Sequence, residues 1–446
     1  MIRNNLNKPL IIVVGYLVFT LLLYVFGPFK WVTYNPALFW TLNILYIIAL
    51  ILGWQLGINT HVCTRSLAWD VEIVALLRFA IPVNFVFELL FSFRRFDITS
   101  FNIGLLISKM SAGIVNMGSA YNTLQTGLSE GVSSSDALGG YAFTIMSMIW
   151  TVFGYNILLL GILYFRKITL ANRIIVVTTV LLIVFGFLAT GTNIGFFRIA
   201  LIFVVFYYLK TQNNRIASSS RNKRSNTRKM LLLSFFATAV VIVVFDRIMR
   251  SRGGVLSWND SGYNIGGIRI NPNSPLFRIL PSYLHILLIS LSGYLTQGYY
   301  GMSVSLRLPW KPGYGVGHSM AIINLLGDAI NIPHENTYQY RSAIFGWEEG
   351  VRWHTMYSWF ANDVTYYGVI IVVLVIGIVS GMAYKDAVVT NNPYAKLVTY
   401  YFMLLFVFMP CNNQLFQTLY IMLPFLSAVA LWLITRERRI VVLSGE

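Results

Sequence analysis

The residues best suited to chemistry in this 446-residue chain sit in a few short stretches. The segment WHTMYSWFANDVTYYG, residues 353–368, sets a histidine (His354) and an aspartate (Asp363) among apolar and aromatic neighbours, where a long hydrophobic run begins. An imidazole there can take a proton near neutral pH, and a carboxylate inside an apolar run is costly enough to need a partner. Arginines form the second set: Arg198 in GTNIGFFRIALIF, and Arg247 and Arg250 in FDRIMRSRGG. Guanidiniums three residues apart share a helix face and repel unless an anion lies between them, which suits a phosphate-bearing ligand. The structural alternatives are an Asp246–Arg250 pair at four-residue spacing and, for Arg198, snorkelling to lipid headgroups.

On one continuous helix His354 and Asp363 differ by about 900° and point to opposite faces. With a helix start near Thr355, Asp363 lies about 12 Å deeper and faces a neighbouring helix, where a structural pairing is the favoured role. His354 then stays at the mouth, facing the preceding loop beside Trp353 and Arg352. Four of the five histidines (285, 318, 334 and 354) lie in this part of the chain. They show no HExxH and no pair with ligand spacing on one helix face, so no metal is expected. GYGVGH (313–318) lacks the flanking strand and helix of a dinucleotide fingerprint, and there is no Walker motif. Glu348 and Glu349 are adjacent and diverge by about 100° on a helix, which excludes a facing acid and base pair. No cofactor is expected.

The elements that must carry these groups are membrane helices. Hydrophobic residues make up 57% of the chain and charged ones 11%, with a mean hydropathy of +0.66, a balance foreign to soluble domains of this size. About ten apolar runs have the length of a crossing, near 9–27, 36–57, 72–93, 141–165, 173–191, 194–209, 230–246, 355–383, 394–410 and 416–435. The first is expected to be a retained span, because no small-residue cleavage site follows it. Cys63 and Cys411 fall on opposite sides in this topology, which leaves no disulfide framework.

Lys plus Arg number 33 against 16 Asp plus Glu, and position explains the excess better than nucleic acid does. Residues 210–229 hold seven Lys or Arg and no acid, and the positive-inside bias makes them a cytoplasmic linker, with both termini also inside. Residues 94–140 and 247–354 are then outer loops within one integral membrane domain spanning 1–446. The larger holds nine Lys or Arg against five acids, against the usual bias, so something outside must favour positive charge. Its apolar stretch YLHILLISLSGYLTQGYYG is expected to be a re-entrant or interfacial helix, since a full crossing would place the basic C-terminus outside. Arg78 and Glu88 in the third run point to a polar interior.

The single arginine opening a span after a glycine (GTNIGFFR), the segment SGYLTQGYYGMSVSL and WHTMYSWFANDVTYYG together resemble the Wzy-type O-antigen polymerases, over most of the chain. The last segment is similar to the family's Thr, Asp, Gly pattern where the chain re-enters the membrane; Val364-Thr365 departs from what often follows the Asp, and an Arg-x10-Gly pattern of some members is missing from the outer loop. The resemblance implies a GT-C-like fold in the bacterial inner membrane. It also implies a glycosyltransferase that joins undecaprenyl-diphosphate-linked oligosaccharide units for O-antigen, capsule or exopolysaccharide at the periplasmic face, without metal or nucleotide sugar. Arg198, Arg247, Arg250 and Arg352 would hold the lipid diphosphate, and Arg250 would stabilise the charge it gains. His354 would be the general base, ahead of His318, His334 and Glu335. Trp353 and Tyr299, with Tyr300, would support the site or stack on sugar, and Asp363 would support it structurally. Membrane lipids and a chain-length regulator are the further partners implied. A ligase acting on a lipid A core, or a flippase for the same lipid, are the alternatives; the flippase usually shows repeated halves, and none is visible.

Overall fold

The computed structural model describes residues 6–60, 69–129, 140–217, 223–252, 264–327 and 329–436. Its early helices are α1 (Lys8–Phe26), α2 (Pro36–Asn59), α3 (Trp69–Arg95), α4 (Ile103–Val115), α5 (Met117–Ser129), α6 (Gly140–Leu163), α7 (Leu170–Ala189), α8 (Ile194–Ala217) and α9 (Lys223–Ser251). After a small hairpin, β1 (Asn264–Ile265) and β2 (Ile268–Arg269), come the short α10 (Pro275–Ile279), α11 (His285–Ser305), α12 (Met320–Leu326) and α13 (Tyr338–Arg341). The chain continues with α14 (Met356–Val389), α15 (Pro393–Phe408) and α16 (Leu419–Thr435). A helix covers each of the ten apolar runs. Among the described residues, seven of them (α1, α2, α3, α6, α7, α8 and α14) are long and apolar enough to cross a membrane. The molecule is an all-helical polytopic membrane protein, because backbone groups in hydrocarbon must be paired within the segment.

Three of the connections carry more helix than their composition suggests. The stretch 94–140 is not an open loop: α4 and α5 form a broken helical pair bent by 108°, while residues 130–139 lie outside those described. The basic linker 210–229 is largely helical, since α8 runs to Ala217 and α9 starts at Lys223, with 218–222 and the linker's side chains beyond Asn213 outside the description. The apolar stretch of the large loop, expected as a re-entrant or interfacial helix, is one unbroken helix of 21 residues, α11, and its second half is buried from Thr296 to Ser305. Cys63 and Asp260 lie outside the described residues.

The chain divides into two compact units. Unit 1 comprises Met1–His61, Val255–Asp386 and Tyr401–Met422. In it α2 and α14 meet through glycines four apart on each helix, Gly53 and Gly57 against Gly377 and Gly381. A Cβ at Gly53 would overlap Leu374 O, and one at Gly57 would overlap Ile378 O, so the backbones touch directly. Close approach of this kind replaces the hydrophobic drive that lipid removes. Around it lie the fully buried Tyr46, Trp54, Tyr357 and Tyr384. The hairpin turns on Gly266 and Gly267, both at positive φ, as a two-residue turn of its twist requires. It is pinned to the end of α1 by an Ile270–Phe29 bridge and by Ser274 Oγ donating to Phe26 O at 3.1 Å.

Unit 2 comprises Val62–Gly254, Ala387–Tyr400 and Leu423–Glu446. Here polar side chains link apolar helices: Asn172 Nδ2 donates to Leu77 O at 3.3 Å and Trp150 Nε1 to Asn84 Oδ1 at 2.9 Å. The antiparallel neighbours α8 and α9 bring the start of one beside the end of the other, and Arg252 fixes that end by donating to Gly191 O between α7 and α8.

Candidate active site in the loop over α14

The α14 helix starts with one short length, Met356 to Val364, and then breaks at Thr365. Thr365 has φ 63° and ψ 166°, a conformation essentially reserved for glycine. A β-branched residue held there costs about 1–3 kcal/mol, and such strain gathers at active sites and ligand clamps. The break is managed by neighbours: Thr365 Oγ1 accepts from Gly368 N at 3.3 Å, and Tyr46 Oη donates to Tyr366 O at 2.7 Å. Asp363 is thereby carried on a helical stub of two turns.

Around its carboxylate wraps the loop Pro312–His318. Oδ1 accepts from Gly315 N at 3.0 Å and Gly317 N at 2.8 Å, and Oδ2 from His318 N at 3.0 Å. Successive amides aimed at one point make an anion cradle. The alternating glycines are what let the loop come so close. Gly315 has φ +87°, and a Cβ on Gly317 would lie 2.6 Å from Asn362 Cβ and 2.9 Å from Asp363 Oδ1. Tyr314, between Gly313 and Gly315, is in the left-handed region at φ 47°.

The fourth donor to Asp363 is a side chain. His318 Nδ1 lies 2.8 Å from Oδ2, with the imidazole side chain 17% exposed and the carboxylate 7%. A carboxylate can only accept, so Nδ1 donates and Nε2 is left as the acceptor. The ring is further fixed by stacking on Phe360 at 5.3 Å and by the edge of Phe416 at 5.1 Å. A base oriented by a buried carboxylate is the arrangement proton abstraction requires.

A polar network holds the cradle. Asn362 donates to Gly317 O at 2.8 Å and Gln339 Oε1 at 2.9 Å, and accepts from Tyr338 N at 2.9 Å. Asn362 O accepts from Gly313 N and Trp310 Nε1, and Asn413 Nδ2 donates to His318 O. Buried Gln339 Nε2 and Asn413 Oδ1 find no hydrogen-bond partner among the described residues, so the network has polar capacity left over beside the dyad. Arg341 ties the outer side: Nε donates to Asn336 O at 3.0 Å and Nη1 to Pro309 O at 2.8 Å.

No family model, curated protein or solved structure matches the chain. Its site is therefore read from its own geometry.

The structure redistributes the expected residues. Asp363 does not face a neighbouring helix; it is enclosed by the 312–318 loop, with His318 as partner. His354 does not open to the loop: it is 2% exposed, neither ring nitrogen has a hydrogen-bond partner among the described residues, and burial pushes it down to about 3. A base so enclosed and so weak cannot relay a proton from a bulky substrate. Its burial follows from Gly298 and Gly301 of α11, whose bare backbones press against Thr355 and Trp353. Tyr299 is 1% exposed with Oη on Thr20 Oγ1 at 3.0 Å, and Tyr300 is buried as well, so neither offers a face to sugar. Trp353 packs edge-on to Tyr294, and Arg352 lies 5.9 Å over Trp347.

In unit 2, Arg198 is buried in the first turn of α8, whereas Arg247 and Arg250 are exposed near the end of α9. Arg250 Nε pairs with Asp246 at 2.8 Å, which is the structural alternative raised by the four-residue spacing. His334, another candidate base, faces Glu349 at 2.6 Å. That carboxylate raises its pKa against the opposing pull of burial. The residues missed in the sequence are the three alternating glycines, Asn362 and Gln339. The signal was present in GYGVGH, which is a nest for a carboxylate of the same chain in place of a phosphate.

Proposed function

We propose that this protein is a membrane glycosyltransferase that polymerises undecaprenyl-diphosphate-linked oligosaccharide units at the outer face of the bacterial inner membrane. Support for a transferase comes from the His318–Asp363 dyad, held at the broken start of an apolar span. In this reading Nε2 of His318 takes the proton from a sugar hydroxyl as its oxygen attacks the anomeric carbon of a second unit. The bond from that carbon to the diphosphate breaks, and the electron pair leaves on undecaprenyl diphosphate. Asp363 keeps the proton on Nδ1 and stabilises the imidazolium that forms. The leaving diphosphate needs fixed cations, for which Arg341, Lys311 and Arg352 stand in the same unit as the dyad.

The resemblance noted in the sequence supplies the substrate class, and the dyad supplies a base that does not depend on it. The test is the surface glycan of a deletion strain carrying plasmid copies. His318→Ala should give cells with single-unit glycan only, at normal protein level, while wild type restores long chains. Long chains with His318→Ala would remove the dyad from the reaction, and loss of all surface glycan on deletion would favour a flippase.

A further inference from the structure

Two aromatic residues, one just before the cradle loop and one within it, are exposed. Tyr338, whose amide is held by Asn362, is buried, whereas Trp310 is 43% exposed and Tyr314 75% exposed. Both are held by the same backbone atom of the site. Trp310 Nε1 donates to Asn362 O at 3.1 Å, and Gly313 N, next to Tyr314, donates to that oxygen at 2.8 Å. Trp310 thus has a ring pinned at its polar edge and partly exposed. Tyr314 lies between Gly313 and Gly315 with a left-handed backbone, one residue before an amide that binds Asp363. Next to Trp310 in the chain, Lys311 Nζ donates to Asn336 Oδ1 at 3.1 Å, an exposed polar pair.

We propose that Trp310 and Tyr314 form the face on which the saccharide rests at the His318–Asp363 site, and that they select the sugar presented to the base. This rests on the glycosyltransferase reading above. A pyranose ring has apolar C–H faces and a rim of hydroxyls. Binding sites for such molecules pair aromatic walls with a few polar groups that fix orientation. Trp and Tyr give a large contact area with little side-chain entropy to lose, and the pinned indole has lost most of it before a ligand arrives. Anchoring to lipid headgroups is the other use of exposed Trp and Tyr, but it requires neither a fixed ring nor a strained backbone at a titratable pair.

The experiment uses the full-length protein in phosphatidylethanolamine and phosphatidylglycerol vesicles, with the lipid-linked repeat unit purified from the host as substrate. Trp310→Ala and Tyr314→Asn, the latter able to keep the left-handed backbone, should each raise KM about tenfold with kcat within a few-fold, and Trp310→Phe and Tyr314→Phe should recover most of it. In parallel, the lipid-free repeat oligosaccharide should show saturation transfer from wild type and lose it in the double variant. Unchanged KM in both variants, or full saturation transfer in the double variant, overturns the platform and leaves the two rings as membrane anchors. Turnover in His318→Ala sinks the transfer reading instead, and the saturation-transfer result then decides the platform alone.

Discussion

Asp363 and His318 are 45 residues apart in sequence and 2.8 Å apart in the fold, and every glycine between Pro312 and His318 is fixed by that contact. A Cβ at Gly317 has nowhere to go, because its nearest neighbours are Asn362 Cβ and the Asp363 carboxylate. Gly317→Ala is therefore expected to push the loop off Asp363. Chain growth should fall by about 10²–10⁴-fold, the range a misplaced general base costs, with normal membrane insertion on immunoblots. The His334–Glu349 pair belongs to the same scale. Its folded-state pKa lies above the ordinary imidazole value of about 6.5, so its support for the loop is complete below that value and fades as pH rises through the folded-state pKa. Amide exchange over residues 334–350 should accordingly speed up across that window beyond its intrinsic rise, and His334→Asn should abolish the extra step.

At the scale of elements, small residues decide which helices meet. The spacings GWQLG in α2 and GIVSG in α14 are visible in the sequence as paired small-residue motifs, yet only the fold matches one with the other. Gly53→Ile should part α2 from α14 and lower the melting temperature in detergent sharply, by overpacking that cannot relax into backbone. Gly15→Ile is the control, since a Cβ on Gly15 meets nothing within 4 Å. Similar melting temperatures for the two variants would contradict the direct contact. The break at Thr365 is an element-scale feature as well: it turns a long apolar helix into a stub that bears the carboxylate and a separate span.

For the whole molecule, the charge pattern sets a sidedness. The loop bearing Lys311 leads into the stub of α14, and Asn391 follows the span beyond the break at Thr365, Tyr366 to Val389, or about 36 Å of helix. That exceeds the roughly 30 Å of hydrocarbon, so the two positions should lie on opposite faces. In a Cys63→Ser background, a membrane-impermeant thiol reagent applied to intact spheroplasts should label Lys311→Cys and spare Asn391→Cys until the membrane is opened. The reverse pattern would turn the dyad toward the cytosol and remove it from the periplasmic reaction proposed.

The linear chain alone determined the solvent. Runs of about twenty apolar residues have no stable alternative to helix in lipid, so a polytopic helical protein was legible, as was the excess of cations in the region before α14. It also exposed the carboxylate in ANDVTYYG as a group that needs a partner. The partner itself was decided by tertiary structure. Helical periodicity relates residues within about two turns, whereas Asp363 is satisfied by a loop that arrives from a distant part of the chain and comes within hydrogen-bonding distance only because its glycines carry no side chain. For the same reason His354, beside a tryptophan and at the mouth of a span, looked open in sequence. Two glycines of α11 bury it.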